Sequence, residues 1–183
     1  MSEPHDQHLM IDLETLGTEP DSVILSIAGV AFEPRGGLGR EFEMGVDRQS
    51  CERLGLSVDP ETLGWWEQQP EAARECLTGG FPLSEVLDQF EIFYRMVDPD
   101  NIWACSPAFD CVILEHASGV CNHELPWNYW EQRDVRTLRH LPQWESADLN
   151  GVEHRALDDA REQALSVAMT LRKLDEAKVI VDE

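Results

Sequence analysis

A strand-like apolar run near the start of the chain, His8 to Leu13, carries one carboxylate at Asp12 and is followed at once by a second at Glu14. Residues i and i+2 of an extended chain point to the same face, so Asp12 and Glu14 converge. Like charges held that close repel unless a cation lies between them, and solvation does not explain acids at the end of an otherwise apolar strand. Hard oxygen ligands in that arrangement suit Mg²⁺ or Mn²⁺. The plain alternative is chance: Asp and Glu number 36 against 14 Lys and Arg, a net charge of −22, and D-x-E alone is a frequent pattern.

That charge excludes whole classes of function. A non-specific nucleic-acid coat or a binder of anionic membranes needs the opposite sign. No apolar stretch approaches the ~20 residues of a crossing helix, and the N-terminal MSEPHDQH lacks the basic region of a secretory signal. A cytoplasmic protein is expected. Five cysteines without a CxxC pair fit reduced thiols rather than a disulfide framework. Cys105, Cys111, Cys121 and His123 match no common zinc spacing, and buried structural cysteine is the better reading.

The length of 183 residues suits one domain, residues 1–183, with 1–7 and 176–183 loosely ordered at its ends. His8 to Leu13, Ser22 to Phe32 and Arg40 to Val46 read as a three-stranded antiparallel meander, with soft turns at Gly17 to Asp21 and Gly36 to Gly39. Asp59-Pro60-Glu61 starts a helix through Gln69, and Pro70-Glu71 signals another. Ser84 to Met96, capped by Ser84, has apolar residues at helical spacing. Ile102 to Cys105 is a short buried strand. Phe109 to Val120 is a helix with Val112, Ile113 and Ala117 inside, and Asp158 to Leu174 is the last helix, with Ala160, Ala164, Val167, Ala168 and Leu171 as its inner face. The fold class is α/β with a mixed sheet: an antiparallel meander plus short parallel strands, flanked by helices.

Two further acids stand at edges of these elements. Asp110 follows the strand in IWACSPAFD and opens a helix, and Asp159 opens the last helix in HRALDDA, five residues after His154. Each alone is explained by capping or the helix dipole, a role assigned to Asp158. Four acids and a histidine, each at the edge of a core element, point to a site.

These segments resemble the three motifs of the DEDDh 3′-5′ exonucleases, a superfamily of RNase H-like fold. Motif one is Asp12-Leu13-Glu14-Thr15, motif two ends in Phe109-Asp110, and motif three is His154, four residues, then Asp159. MIDLETLGT, ETLGWWEQQ, PWNYWEQRDVRTL and HRALDDAREQA are similar to the phage and prophage branch related to RNase T. Where that branch carries Asn five residues before the motif-two Asp, this chain has Cys105.

The resemblance implies a metal-dependent exonuclease that acts on single-stranded 3′ ends of DNA or RNA and releases nucleoside 5′-monophosphates. Two divalent cations, Mg²⁺ or Mn²⁺, would be held by Asp12, Glu14, Asp110 and Asp159, with His154 as general base. Histidine suits that task because its side chain ordinarily titrates near about 6.5. Relatives that pair as dimers leave a homodimer open. Thr15 and Leu16 are expected at the substrate, Leu16 as an apolar wedge against the terminal bases, together with Arg155 and Arg136.

Arg133, Arg136 and Arg139 could line one face toward phosphate or could neutralise surface acids, and the sequence favours neither. Trp65 and Trp66 point about 100° apart on a helix, so at most one can face a bound strand. Packing is the default for both, as for Trp127 and Trp130. A rival from another class is a non-catalytic acidic interaction or nucleic-acid-mimic protein; a metal-dependent phosphatase is a second enzymatic rival.

Overall fold

The computed structural model describes residues 7–35 and 37–181, the last four by backbone alone. Five strands form one sheet in the order β3-β2-β1-β4-β5. β1 (His8–Thr15), β2 (Ile24–Glu33) and β3 (Gly37–Gly45) make the expected antiparallel meander. β4 (Asn101–Ala104) and β5 (Gln132–Asp134) extend it in parallel on the other side of β1. The first strand of the chain is thus the centre of the sheet.

Alternation along β1 sorts its side chains between two cores. Leu9, Ile11 and Leu13 join the larger one, with Ile27 and Ala31 of β2 and the helices α3 (Leu83–Val97) and α4 (Asp110–Val120). Met10 joins the smaller one, with Ala28, Val30, Phe32 and Trp103 under the long helix α6 (Ala156–Val181). Asp12 and Glu14 share the parity of Met10 and so lie on the α6 face, where the apolar pattern stops. Ala160, Ala164 and Val167 are fully buried, and such small residues let α6 lie close to the sheet.

α3 docks on the opposite face through Val86, Leu87, Phe90 and Phe93. Gly29 in mid-β2 permits this, because a Cβ there would stand 2.9 Å from the Phe93 ring. α3 is not capped by Ser84: Pro82 occupies the cap position, and the Leu83 N–H donates to the Ser50 hydroxyl at 3.0 Å. Ser50 belongs to α1 (Arg48–Arg53), a short helix the sequence pattern did not reveal. α2 (Pro60–Trp66) begins as expected, the Asp59 carboxylate accepting from the backbone of Glu61 and Thr62.

Other expectations change. Pro70 leads only to the 3-10 turn Ala73–Leu77. The bend before β3 lies at Pro34 and Arg35, with Gly36 outside the described residues and Leu38 and Gly39 already in the strand. Val112 of α4 faces solvent, with Ile113, Leu114 and Ala117 inside. α6 starts two residues earlier than expected and runs to Val181; of the ends expected to be loose, 1–6 and 182–183 lie outside the described residues. No helix among the described residues is long and apolar enough to cross a membrane.

Candidate active site

α6 crosses the face of β1 on which Asp12 and Glu14 stand, and its first turn brings Asp159 to them. One carboxylate oxygen from each of Asp12, Glu14 and Asp159 lies within 4.8 Å of the others. Asp110, the first residue of α4, is buried beside them, its Oδ1 accepting from the Leu13 N–H at 3.2 Å. Among the described residues Asp12, Glu14 and Asp159 are the convergent ligand set, and Asp110 stands outside it; Cys105, Cys111, Cys121 and His123 form no such group.

All four acids are held above the ordinary carboxylate range. Burial is the first cause for each, because a low-dielectric surround disfavours the charged form. Asp12 is pushed well up by burial and then by the charges of Asp110, Glu14 and Asp159. Glu14 is raised to about 8 by burial, Asp159 and Asp110. Asp110 rises to about 7 despite the Leu13 amide and the nearby charge of Arg136, and Asp159 to about 6 despite the His154 N–H. A divalent cation reverses this penalty, and an all-oxygen set is the donor chemistry of Mg²⁺ or Mn²⁺.

His154 sits on the loop before α6 at φ +63°, a left-handed conformation that costs a non-glycine residue energy and requires external support. The support is visible. Its N–H donates to Asp159 Oδ2 at 3.0 Å, and the Val152 N–H donates to Asp158 Oδ2 at 3.1 Å. Gly151 passes so near Asp158 that a Cβ there would meet the Asp158 Cβ at 2.8 Å. Asp158 is therefore no cap for the helix end but the anchor of the histidine loop.

A cleft of about 510 Å³ opens beside Glu14, lined by Thr15, Thr18, Trp65, Trp66 and Phe109 among others. The two tryptophans divide as their 100° offset requires. Trp66 is buried and its Nε1 donates to the Thr15 carbonyl at 2.9 Å, tying α2 to the end of β1. Trp65 is 41% exposed and stands edge-to-face with the His154 ring, centroids 4.8 Å apart. The default of packing fails for Trp65, and for Trp130, which is exposed beside Tyr129; it holds for Trp127, which packs on Phe90 and Tyr94.

The expected substrate contacts separate in the same way. Leu16 has no exposed surface: its N–H bonds to Val23 O, continuing the β1–β2 pairing, and its side chain enters the larger core. It is thus no wedge in this structure. Thr15 lines the cleft, with its hydroxyl donating to Gly17 O. Arg155 is engaged with Glu43 at 3.4 Å and Asp158 at 4.0 Å. Arg133, Arg136 and Arg139 do not all lie on one element: Arg133 belongs to β5, which ends at Asp134, while Arg136 and Arg139 lie on α5 (Val135–Arg139), which begins there. Arg133 donates to the carbonyls of Trp130 and Gln132, and Arg139 lies over the Trp144 ring. Of the three, Arg136 is the one whose charge acts on Asp110.

One residue of the site was missed. Gln163, four residues after Asp159 on the same face of α6, donates from Nε2 to Asp12 Oδ1 at 2.8 Å. The available signal was a polar residue at i+4 from a motif acid on an alanine-rich inner face.

The chain is similar to known nucleases in sequence and in fold. The model of the 3′-5′ exoribonuclease Rv2179c-like domain matches residues 7–171. The exodeoxyribonuclease of Enterobacteria phage T4 is 25% identical, over 70% of this chain and 68% of the phage protein. E. coli Exonuclease I, in complex with a dA16 oligonucleotide, superposes with a TM-score of 0.64 at 14% identity; the match covers 92% of this chain but only 41% of that one. The nuclease domain of 3′hExo, a DEDDh family member bound to rAMP, superposes with a TM-score of 0.66 at 12% identity, covering 94% and 95% of the two chains. Such low identities speak for the fold, which is the RNase H-like mixed sheet expected from the resemblance.

Proposed function

Because the chain belongs to the family of 3′-5′ exoribonuclease Rv2179c-like domains and is a 3′-5′ exonuclease of the DEDDh type, we propose that it hydrolyses the terminal phosphodiester of single-stranded 3′ ends with two divalent cations, releasing nucleoside 5′-monophosphates. The observation that carries this reading is the convergence of three buried or half-buried carboxylates within 4.8 Å, all raised in pKa. Cations held there supply charge neutralisation at the scissile phosphate and a more acidic water.

The chain's own residues do the rest. Asp12, Glu14 and Asp159 would hold the cations, with Asp110, buried beside them, as a further ligand. His154, fixed by the Asp159 carboxylate and the Trp65 ring, takes the proton from the attacking water. Trp65 and Phe109 line the cleft beside Glu14 and offer ring faces to the terminal base. Arg136, whose positive charge acts on Asp110, is the arginine proposed for a backbone phosphate. The acidic-mimic alternative fares worse, since it needs these acids on display and Glu14 and Asp110 are buried.

The family description names RNA and the phage relative's name DNA, so both belong in the test. Matched 5′-labelled DNA and RNA oligonucleotides are incubated with Mg²⁺, Mn²⁺ or EDTA. Stepwise shortening from the 3′ end, abolished by EDTA and by Asp12→Ala, is expected. Activity that survives EDTA, or is unchanged in Asp12→Ala, overturns the reading. A phosphatase would act on monophosphates and leave the oligomers intact.

A further inference from the structure

We propose that Gln163 is a positioning residue for the cation site, orienting the Asp12 carboxylate for metal without cancelling its charge. The inference rests on the proposed reading of Asp12, Glu14 and Asp159 as cation ligands.

The inner face of α6 is built of small apolar residues: Ala160, Ala164 and Val167 are fully buried. Gln163 sits between Ala160 and Ala164 in sequence and one turn beyond Asp159, so both side chains meet β1 on the face that carries Asp12. Its Nε2–Asp12 Oδ1 contact, 2.8 Å, is shorter than the Leu13–Asp110 bond of 3.2 Å and the His154–Asp159 bond of 3.0 Å. It is the one side-chain hydrogen bond that any of the four acids receives among the described residues. Its other end is equally informative: Oε1 is buried with no partner among them. Packing alone does not account for an amide placed this way, because one of its two polar ends is left unsatisfied.

The chemistry of the amide fits a cation site. A lysine or arginine here would neutralise Asp12 and compete with metal; a neutral donor fixes the carboxylate's rotation and leaves its charge for the cation. The unpartnered Oε1 offers an acceptor to the hydration shell that a hard cation brings with it. Outer groups of this kind typically change metal affinity by about 10- to 100-fold when removed.

Isothermal titration of the metal-free protein with Mn²⁺ tests this, with Asp12→Ala in parallel. Gln163→Met keeps length and packing but removes both polar groups; Gln163→Ala matches the neighbouring alanines and gives a second reading should the methionine variant fold poorly. Expected are a Mn²⁺ Kd weaker by about 10-fold or more, an unchanged melting temperature without metal, and a lowered kcat that recovers at high Mn²⁺ while KM for the oligonucleotide stays put. A Mn²⁺ Kd within about twofold of wild type in a folded variant, or a loss of affinity matched by a loss of metal-free stability, overturns the inference. Wild-type protein that binds no Mn²⁺ at all, or binds it equally with Asp12→Ala, instead overturns the reading of the site itself.

Discussion

Asp158 and Asp159 are neighbours on the first turn of α6 and live in opposite electrostatic worlds. Asp158 accepts from Arg161 Nη1 at 3.0 Å, and the same guanidinium grips Glu41 of β3 through two bonds of 2.8 and 2.6 Å. There the Arg161 hydrogen bond draws the Glu41 carboxyl below its ordinary range. Asp159, turned toward β1, meets Asp12 and Glu14, and all three are raised. Two of the scarce basic residues of a chain with net charge −22, Arg155 and Arg161, are thus committed to acids that tie α6 and the histidine loop to the sheet. The acids proposed as ligands are left without an ion-paired Lys or Arg among the described residues, and the charges of Arg136 on Asp110 and of His154 on Asp159 work against their rise. Arginine is thus paired with the acids that join α6 to β3 and not with those proposed to hold cations.

The same amide substitution placed in each region should therefore act in opposite directions. Asp12→Asn removes a ligand and one repulsive charge: exonuclease activity on labelled oligonucleotides falls to background, while the metal-free melting temperature rises. Glu41→Gln keeps its activity and loses stability. Next in size, His154→Ala lowers kcat by about 10²- to 10⁴-fold with Mn²⁺ binding in calorimetry retained, which separates proton transfer from metal holding. Trp65→Ala weakens oligonucleotide binding by about 1–3 kcal/mol, read as a rise in KM; an unchanged KM would remove Trp65 from the substrate cleft. Smallest is Arg161→Met. Its ion pairs are a third exposed, so the loss of stability in urea denaturation is about 1 kcal/mol or less, with no change in Mn²⁺ affinity.

Much of this was legible in the residues, for reasons that also explain the failures. The i, i+2 rule placed Asp12 and Glu14 on one face without any knowledge of the fold, and α6 announced its inner face through Ala160, Ala164 and Val167. Contacts between distant segments were not legible. Nothing local says that Gln163 meets Asp12, 151 positions away. Which tryptophan of the pair would be buried depended on a hydrogen bond from Trp66 to the Thr15 carbonyl, across 51 positions. Leu16 was misjudged because strand pairing continues one residue past the motif, through Leu16 N–H to Val23 O, and turns the side chain inward. The arginine trio was given the choice of lining one face toward phosphate or neutralising surface acids, whereas the Asp134 cap breaks the segment into strand and helix and separates Arg133 from the other two. Val112 failed through a one-residue ambiguity of phase on α4 that packing alone resolves.

The contrast between compensated and uncompensated acids has a direct thermodynamic signature. Glu14 at about 8, Asp110 at about 7 and Asp159 at about 6 keep protons in the folded state that the unfolded chain has already released. Their stabilising contribution is complete below the ordinary carboxylate range and is lost as pH rises through about 6 to 8. Bound cations replace those protons. The decisive measurement is the melting temperature from about pH 5 to 8.5, with and without Mn²⁺, for wild type and Glu14→Gln. The account predicts a fall with pH in metal-free wild type, a smaller fall in Glu14→Gln, and a Mn²⁺ stabilisation of wild type that grows as pH rises. Superimposable curves with and without Mn²⁺ would contradict it.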